Sequence, residues 1–104
     1  MLKSKGDITL ARNLVSKDLA LDYELPDTIE SIEELKNQLT QVINTLLNRD
    51  MNRLLTALYR IDVSEKKVKN ILTVSSPENI ASEIADLIIE RESQKVITRK
   101  KYKS

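Results

Sequence analysis

The residues best suited to bind a charged ligand lie in the middle of the chain, in the stretch NRLLTALYRID. They are Arg53, Tyr59, Arg60 and Asp62. The planar guanidinium fork of arginine suits an anion or the carboxylate of a partner protein. The alternative is structural, with Arg53 and Arg60 paired to acidic residues of a neighbouring helix. Those acidic residues would be Glu83, Asp86 or Glu90. Structural ion pairs also gather arginines in this way, and the sequence favours that interpretation.

The C-terminal end of the chain is basic and could contact nucleic acid. Its basic residues are Lys95, Arg99, Lys100, Lys101 and Lys103, with Tyr102 among them. Such side chains neutralise phosphates, and an aromatic ring can stack on a base. Against this, the acidic stretches within 22–34 and 78–92 would repel phosphates. Basic residues at the end of a helix also complement the helix dipole, and this structural explanation is favoured.

The sequence lacks most of the side chains that catalysis and metal binding require. It contains no histidine and no cysteine. The usual general base near neutral pH and the common ligands of transition metals are therefore missing. Paired carboxylates such as Glu33 and Glu34 remain, but charges of this kind usually lie on solvated helix faces. With one glycine, the phosphate-loop and dinucleotide fingerprints are excluded. We expect a non-enzymatic protein without a metal or an organic cofactor.

The composition predicts a single all-α domain. The chain has 104 residues, of which 40% are hydrophobic, with one glycine and two prolines, whereas β folds need these residues at their turns. There are three tyrosines and no phenylalanine or tryptophan, so the core must be aliphatic, which suits helix packing. We expect a cytoplasmic protein, because no signal peptide is recognisable and no apolar run approaches the roughly 20 residues of a membrane span.

The apolar spacing in the middle of the chain predicts one long central helix. Apolar residues recur in alternating steps of three and four. These residues, which we call the heptad seam, are Ile32, Leu35, Leu39, Val42 and Leu46. Similar stepping continues from Leu47 to Ile61, moved round the helix by about one residue, and neither glycine nor proline interrupts it. We expect one helix over 28–61, roughly 50 Å long. Two helices broken near Asn48 are the alternative.

A helix of this length needs a long partner to cover its apolar seam. The C-terminal helix of the same chain could provide the cover, and so could a second copy of the protein. The sequence therefore predicts a small helical bundle that forms a homodimer through the heptad seam.

Residues 1–26 are predicted to form an N-terminal helix or an irregular arm. The better prediction is an amphipathic helix over about 7–20, capped by Asp7, because one face carries the apolar residues Ile8, Ala11, Leu14 and Val15. Asp27 and Glu30 have the spacing of a capping box, which would begin the central helix.

The second half of the chain predicts two further helices. Either Asp62 or Ser64 would cap a short helix over 63–73. The Ser-Pro pair at 76–77 predicts the start of a C-terminal helix over 77–98, since proline loses no hydrogen bond at the first helical position. Residues 99–104 are then expected to form a flexible basic tail.

Two stretches, NRLLTALYRIDVSEKK and IASEIADLIIERESQKVITR, resemble a small all-helical bacterial protein family of unknown function. The resemblance covers about the last 55 residues. It implies an all-α fold and brings no activity, cofactor or site residue. Together with the composition, it leads us to expect a protein–protein interaction or scaffolding module that acts as a homo-oligomer. A nucleic-acid-associated accessory protein that uses the basic C-terminal end is the alternative.

Overall fold

The structure is a computed structural model that describes residues 5–19 and 29–102, with side chains over 6–19 and 29–99. This part of the chain is all-α, as predicted, and contains five helices. They are α1 (Lys5–Asp18), α2 (Ile32–Arg49), α3 (Met51–Ile61), α4 (Glu65–Val74) and α5 (Pro77–Tyr102). Helix α5 packs mainly on α2 and also contacts α1, α3 and α4, so it forms the centre of the bundle.

The prediction of one central helix over 28–61 is wrong, because the chain breaks at Asp50. This residue has φ −153° and ψ 73°, outside the helical region. Its N–H donates to the Leu46 carbonyl at 2.8 Å and so completes the end of α2. Its side-chain Oδ1 accepts from the Arg53 N–H at 3.1 Å and so caps the start of α3. One aspartate therefore ends one helix and begins the next, as in the two-helix alternative.

The start of α2 lies later than expected, at Ile32. Ser31 is the N-cap, and its hydroxyl oxygen accepts from the Glu34 N–H at 3.1 Å. The Glu34 carboxylate accepts from the Glu30 N–H at 3.4 Å. The expected cap, Asp27, lies outside the described residues.

The heptad seam packs inside the chain. On α2, the buried residues are Leu35, Leu39, Val42, Ile43 and Leu46. On α5, which covers α2, they include Ala81, Ile84, Ala85 and Ile88. The small alanines let the two helices approach closely. The seam already has a long partner within the chain, so it is not free to form the predicted dimer interface. The oligomeric state itself stays a prediction.

The turn between α3 and α4 resolves the choice between two capping residues. Asp62 lies in the left-handed region, with φ 68° and ψ 45°, and its N–H donates to the carbonyls of Leu58 and Tyr59. It therefore ends α3. Ser64 is the N-cap of α4, and its hydroxyl oxygen accepts from the Lys67 N–H at 3.3 Å.

Helix α1 matches its predicted face, and α5 is longer than predicted. The buried residues of α1 are the predicted Ile8, Ala11, Leu14 and Val15, and Leu19 just beyond the helix is also buried. Asp7 lies within the first turn of α1 and not at its N-cap. The backbone of α5 remains helical to Tyr102, whereas the expected end was Thr98. Within the described residues, no helix combines the length and the apolar character that crossing a membrane demands.

Candidate functional site

An open groove with a volume of about 600 Å³ lies between α3 and α4. We call it the α3–α4 groove. Its apolar lining consists of Leu55, Leu58, Tyr59, Val63, Val68 and Leu72. Leu58, Val63 and Val68 are buried and form the floor, whereas Leu55 is 45% exposed and Tyr59 is 80% exposed. The groove therefore presents an aromatic ring and an aliphatic side chain to solvent beside an apolar floor.

The sequence of α3 explains why this groove is open. Leu54, Leu58 and Ile61 follow a helical spacing and are buried in the core. Leu55 and Tyr59 are four residues apart and form a second stripe beside the first. The left-handed turn at Asp62 then directs the chain into α4, which packs on α5. Among the described helices, none consequently covers the second stripe of α3.

The rim of the groove carries charges of both signs. Asp62 and Glu65 supply carboxylates, and Lys69 supplies an ammonium group. Asp62 also accepts from the Arg91 guanidinium of α5 at 3.5 Å, although its side chain is 83% exposed. Such an exposed pair contributes little to stability and leaves the carboxylate accessible.

The structure does not bring the four predicted site residues together. Tyr59 and Asp62 line the α3–α4 groove. Arg53 and Arg60 line a different, smaller pocket of about 230 Å³, together with Asp18 and Leu19. The reason is helical geometry, since Arg53 and Arg60 are seven residues apart and share a face about 140–160° away from Leu55. Neighbours in the sequence are thus divided between two faces of α3.

Lys36 of α2 and Arg91 of α5 itself supply ion pairs that join α5 to its neighbours. Lys36 of α2 lies 2.9 Å from Asp86, and Arg91 lies 3.5 Å from Asp62. Arg60 is exposed at the surface. Asp86 and Glu90 are also exposed, as expected for a solvated helix face, whereas the third acidic residue, Glu83, is half-buried with its Oε2 shielded from solvent.

The sequence analysis missed a buried cluster of charged residues between α1 and α5. We call it the carboxyl cluster, and it consists of Asp18, Glu92 and Lys95. Glu92 is fully buried, with 0% exposure. The Lys95 Nζ lies 3.7 Å from the Asp18 Oδ2 and 3.9 Å from the Glu92 Oε2. One ammonium group therefore faces two carboxyl groups at the junction of two helices.

The environment of Glu92 favours its neutral form. Burial, followed by the hydrogen bond to Asp18 and the negative charge of Asp18, raises the pKa of Glu92 from 4.5 to about 8, while Lys95 and Arg91 oppose the rise. At neutral pH the protonated carboxyl group of Glu92 can donate a hydrogen bond to the carboxylate of Asp18. A sequence signal for this burial exists, because Glu92 lies four residues after Ile88 and four before Val96, on the apolar face of α5.

The basic C-terminal end is only partly described. Lys95 belongs to the carboxyl cluster and is 24% exposed, so its ammonium group faces carboxylates. Arg99 is exposed on the last turns of α5. Lys100, Lys101 and Lys103 lie beyond the side chains that the structure describes. A nucleic-acid surface would therefore have to rest on residues after Lys95.

Within the described ranges, no three acidic side chains are grouped so that they could hold a metal ion. No protein family, curated protein or solved structure matches the chain. Function must therefore be inferred from the α3–α4 groove and the carboxyl cluster.

Proposed function

We propose that the protein is a non-enzymatic interaction module that associates with a second copy of itself through the α3–α4 groove. The observation that carries this proposal is the exposure of Leu55 and Tyr59 beside an apolar floor. Aromatic residues next to well-packed apolar pockets dominate the energetics of protein interfaces. A cytoplasmic location, expected from the sequence, is part of the proposal.

The charges on the rim favour a second copy as the occupant. A two-fold contact places the same surface on both sides, so each surface must complement itself. The rim meets this requirement because Asp62 and Glu65 are negative and Lys69 is positive. Lys69 of each copy can then face a carboxylate of the other, while each Tyr59 ring fills part of the opposite groove. The heptad seam is covered by α5, whereas the α3–α4 groove is an apolar surface that the described residues leave open for association.

Sedimentation equilibrium of the full chain and of two charged variants tests the proposal. Leu55→Lys places an ammonium group on the groove, and Leu10→Lys makes the same change on α1. The two leucines are matched, because Leu10 is 43% exposed and Leu55 is 45% exposed. We expect the parent chain and L10K to associate and L55K to remain monomeric. A parent chain that stays monomeric at high concentration, or an equal loss in both variants, would exclude the groove as a self-association surface.

A further inference from the structure

Glu92 is a buried ionisable group that the α3–α4 groove does not use. When Glu92 is a carboxylate, neither of its two side-chain oxygens has a hydrogen-bond partner among the described side chains. A buried charge without donors is strongly unfavourable, and such groups usually take up a proton instead. With a proton, Glu92 becomes a donor, and the Asp18 carboxylate across the helix junction is the acceptor.

The charged groups around Glu92 reinforce this conclusion. Lys95 is too far from both carboxyl groups for a short charge-assisted hydrogen bond, which spans about 2.7–2.9 Å. Arg91 extends towards Asp62 and Gln94. From α3, Arg53 and Arg60 line the small pocket that Asp18 also lines.

Among the residues that the structure describes, the buried side chains of α2 and α4 add no charge beside Glu92. On α2 the buried residues are Leu35, Leu39, Val42, Ile43 and Leu46, and on α4 the buried residue is Val68. All of them are apolar. Asp18 is the last residue of α1, where the helix dipole disfavours a negative charge. Asp18 therefore does not stabilise its own helix through the helix dipole. Its place in the structure is explained by its contact with α5.

We infer that the carboxyl cluster is a pH-dependent contact, in which a proton on Glu92 joins α1 to α5 and its loss to solvent releases α1. The docked state holds the proton because Glu92 is buried against Asp18, whereas in the released state Glu92 is an ordinary exposed carboxyl group. The raised pKa of about 8 places the change close to neutral pH. Rising pH therefore favours release. This inference does not depend on self-association through the groove.

Single cysteines can test the release of α1, because the natural chain contains none. Val15→Cys places a thiol on the fully buried face of α1. Thr9→Cys places a thiol on the exposed face of the same helix. Its reaction rate serves as the reference, because it records how the reactivity of an accessible thiol changes with pH. Val68→Cys reports on α4, which does not contact α1 within the described residues. The rate of reaction with a maleimide is measured for each variant across the pH range.

We expect the V15C rate, divided by the T9C rate, to rise up to about tenfold per pH unit above pH 6. The ratio should level off above about pH 8. The V68C rate divided by the T9C rate should rise much less, because α4 does not contact α1 within the described residues and stays packed on α5 when α1 is released. Adding Glu92→Gln to V15C should abolish the rise, because the glutamine amide is a permanent donor to Asp18.

Three results would overturn the inference. The first is a constant V15C ratio with Glu92 present, and the second is an unchanged rise in the E92Q background. The third is an equal rise at V68C, because the whole chain would then open together. If V15C does not fold, Ala11→Cys offers a second fully buried position on α1.

Discussion

Replacement of Glu92 by glutamine should remove a large pH dependence of the global stability. The pKa of Glu92 is about 8 in the folded chain and 4.5 for an ordinary glutamate. Between these values the folded chain binds one more proton than the unfolded chain. The stability that Glu92 contributes is therefore fully present below pH 4.5 and is lost as the pH rises through 8.

The size of this loss follows from proton linkage. Each pH unit between the two pKa values lowers the free energy of unfolding by about 1.4 kcal/mol. Over the full interval the free energy of unfolding falls by at most about 5 kcal/mol. If α1 is released before the rest of the chain unfolds, the measured loss is smaller, so we expect a value of roughly 2–5 kcal/mol. A domain of this size has a total stability of about 5–15 kcal/mol, so the effect is readily measured.

Urea unfolding followed by far-UV circular dichroism, at intervals from about pH 5 to 9, gives the free energies. The control is Glu90→Gln, which removes an exposed carboxyl group from the same helix two residues earlier. We expect the parent chain and E90Q to lose stability in parallel as the pH rises, while E92Q stays nearly constant. If E92Q follows the parent curve, or if the parent chain gains stability from pH 5 to 8, the described environment of Glu92 is incorrect.

Four further changes test other parts of the structure. Asp50→Ala should cost about 1 kcal/mol of unfolding free energy and Asp50→Asn less, because the asparagine side chain can still cap α3; equal values would argue against the cap. Leu39→Ala should cost about 2–5 kcal/mol in urea unfolding, since Leu39 is fully buried under α5. A double-mutant cycle of Lys36→Ala and Asp86→Ala should give a coupling below about 1 kcal/mol, as both side chains are partly exposed. Deletion of 99–104 should leave any oligonucleotide binding unchanged; salt-sensitive binding that the deletion abolishes would instead support the nucleic-acid alternative.

Local signals in the sequence were sufficient to predict most of the helices. The spacing of Ile8, Ala11 and Val15 identified the buried face of α1, and Ser76 before Pro77 identified the start of α5. Both signals depend on residues close together in the chain. A break near Asn48 was only the alternative to one long helix, because the apolar stepping continues through Asp50 and a capping aspartate affects one residue only.

The candidate sites depend on which faces the helices bury, and this was harder to predict. Arg53 and Tyr59 are close in the chain but lie on different faces of α3, and their division follows from helical spacing once α3 is oriented. The spacing of Glu92 between Ile88 and Val96 indicates its burial, but its contact with Asp18 could be found only once α1 was known to pack on α5. The α3–α4 groove required the direction of α4, which the left-handed residue Asp62 sets.

The aliphatic core has a consequence for spectroscopy of this protein. The chain has no tryptophan or phenylalanine, and Tyr59 is the one of its three tyrosines whose side chain the structure describes. Because that ring is 80% exposed, near-ultraviolet circular dichroism and intrinsic fluorescence are poor probes of how the described core is packed. Methyl resonances of leucine, isoleucine and valine are the natural probes of that packing. Tyrosine emission instead becomes a sensor of the surface, since any molecule that fills the α3–α4 groove must change the surroundings of Tyr59.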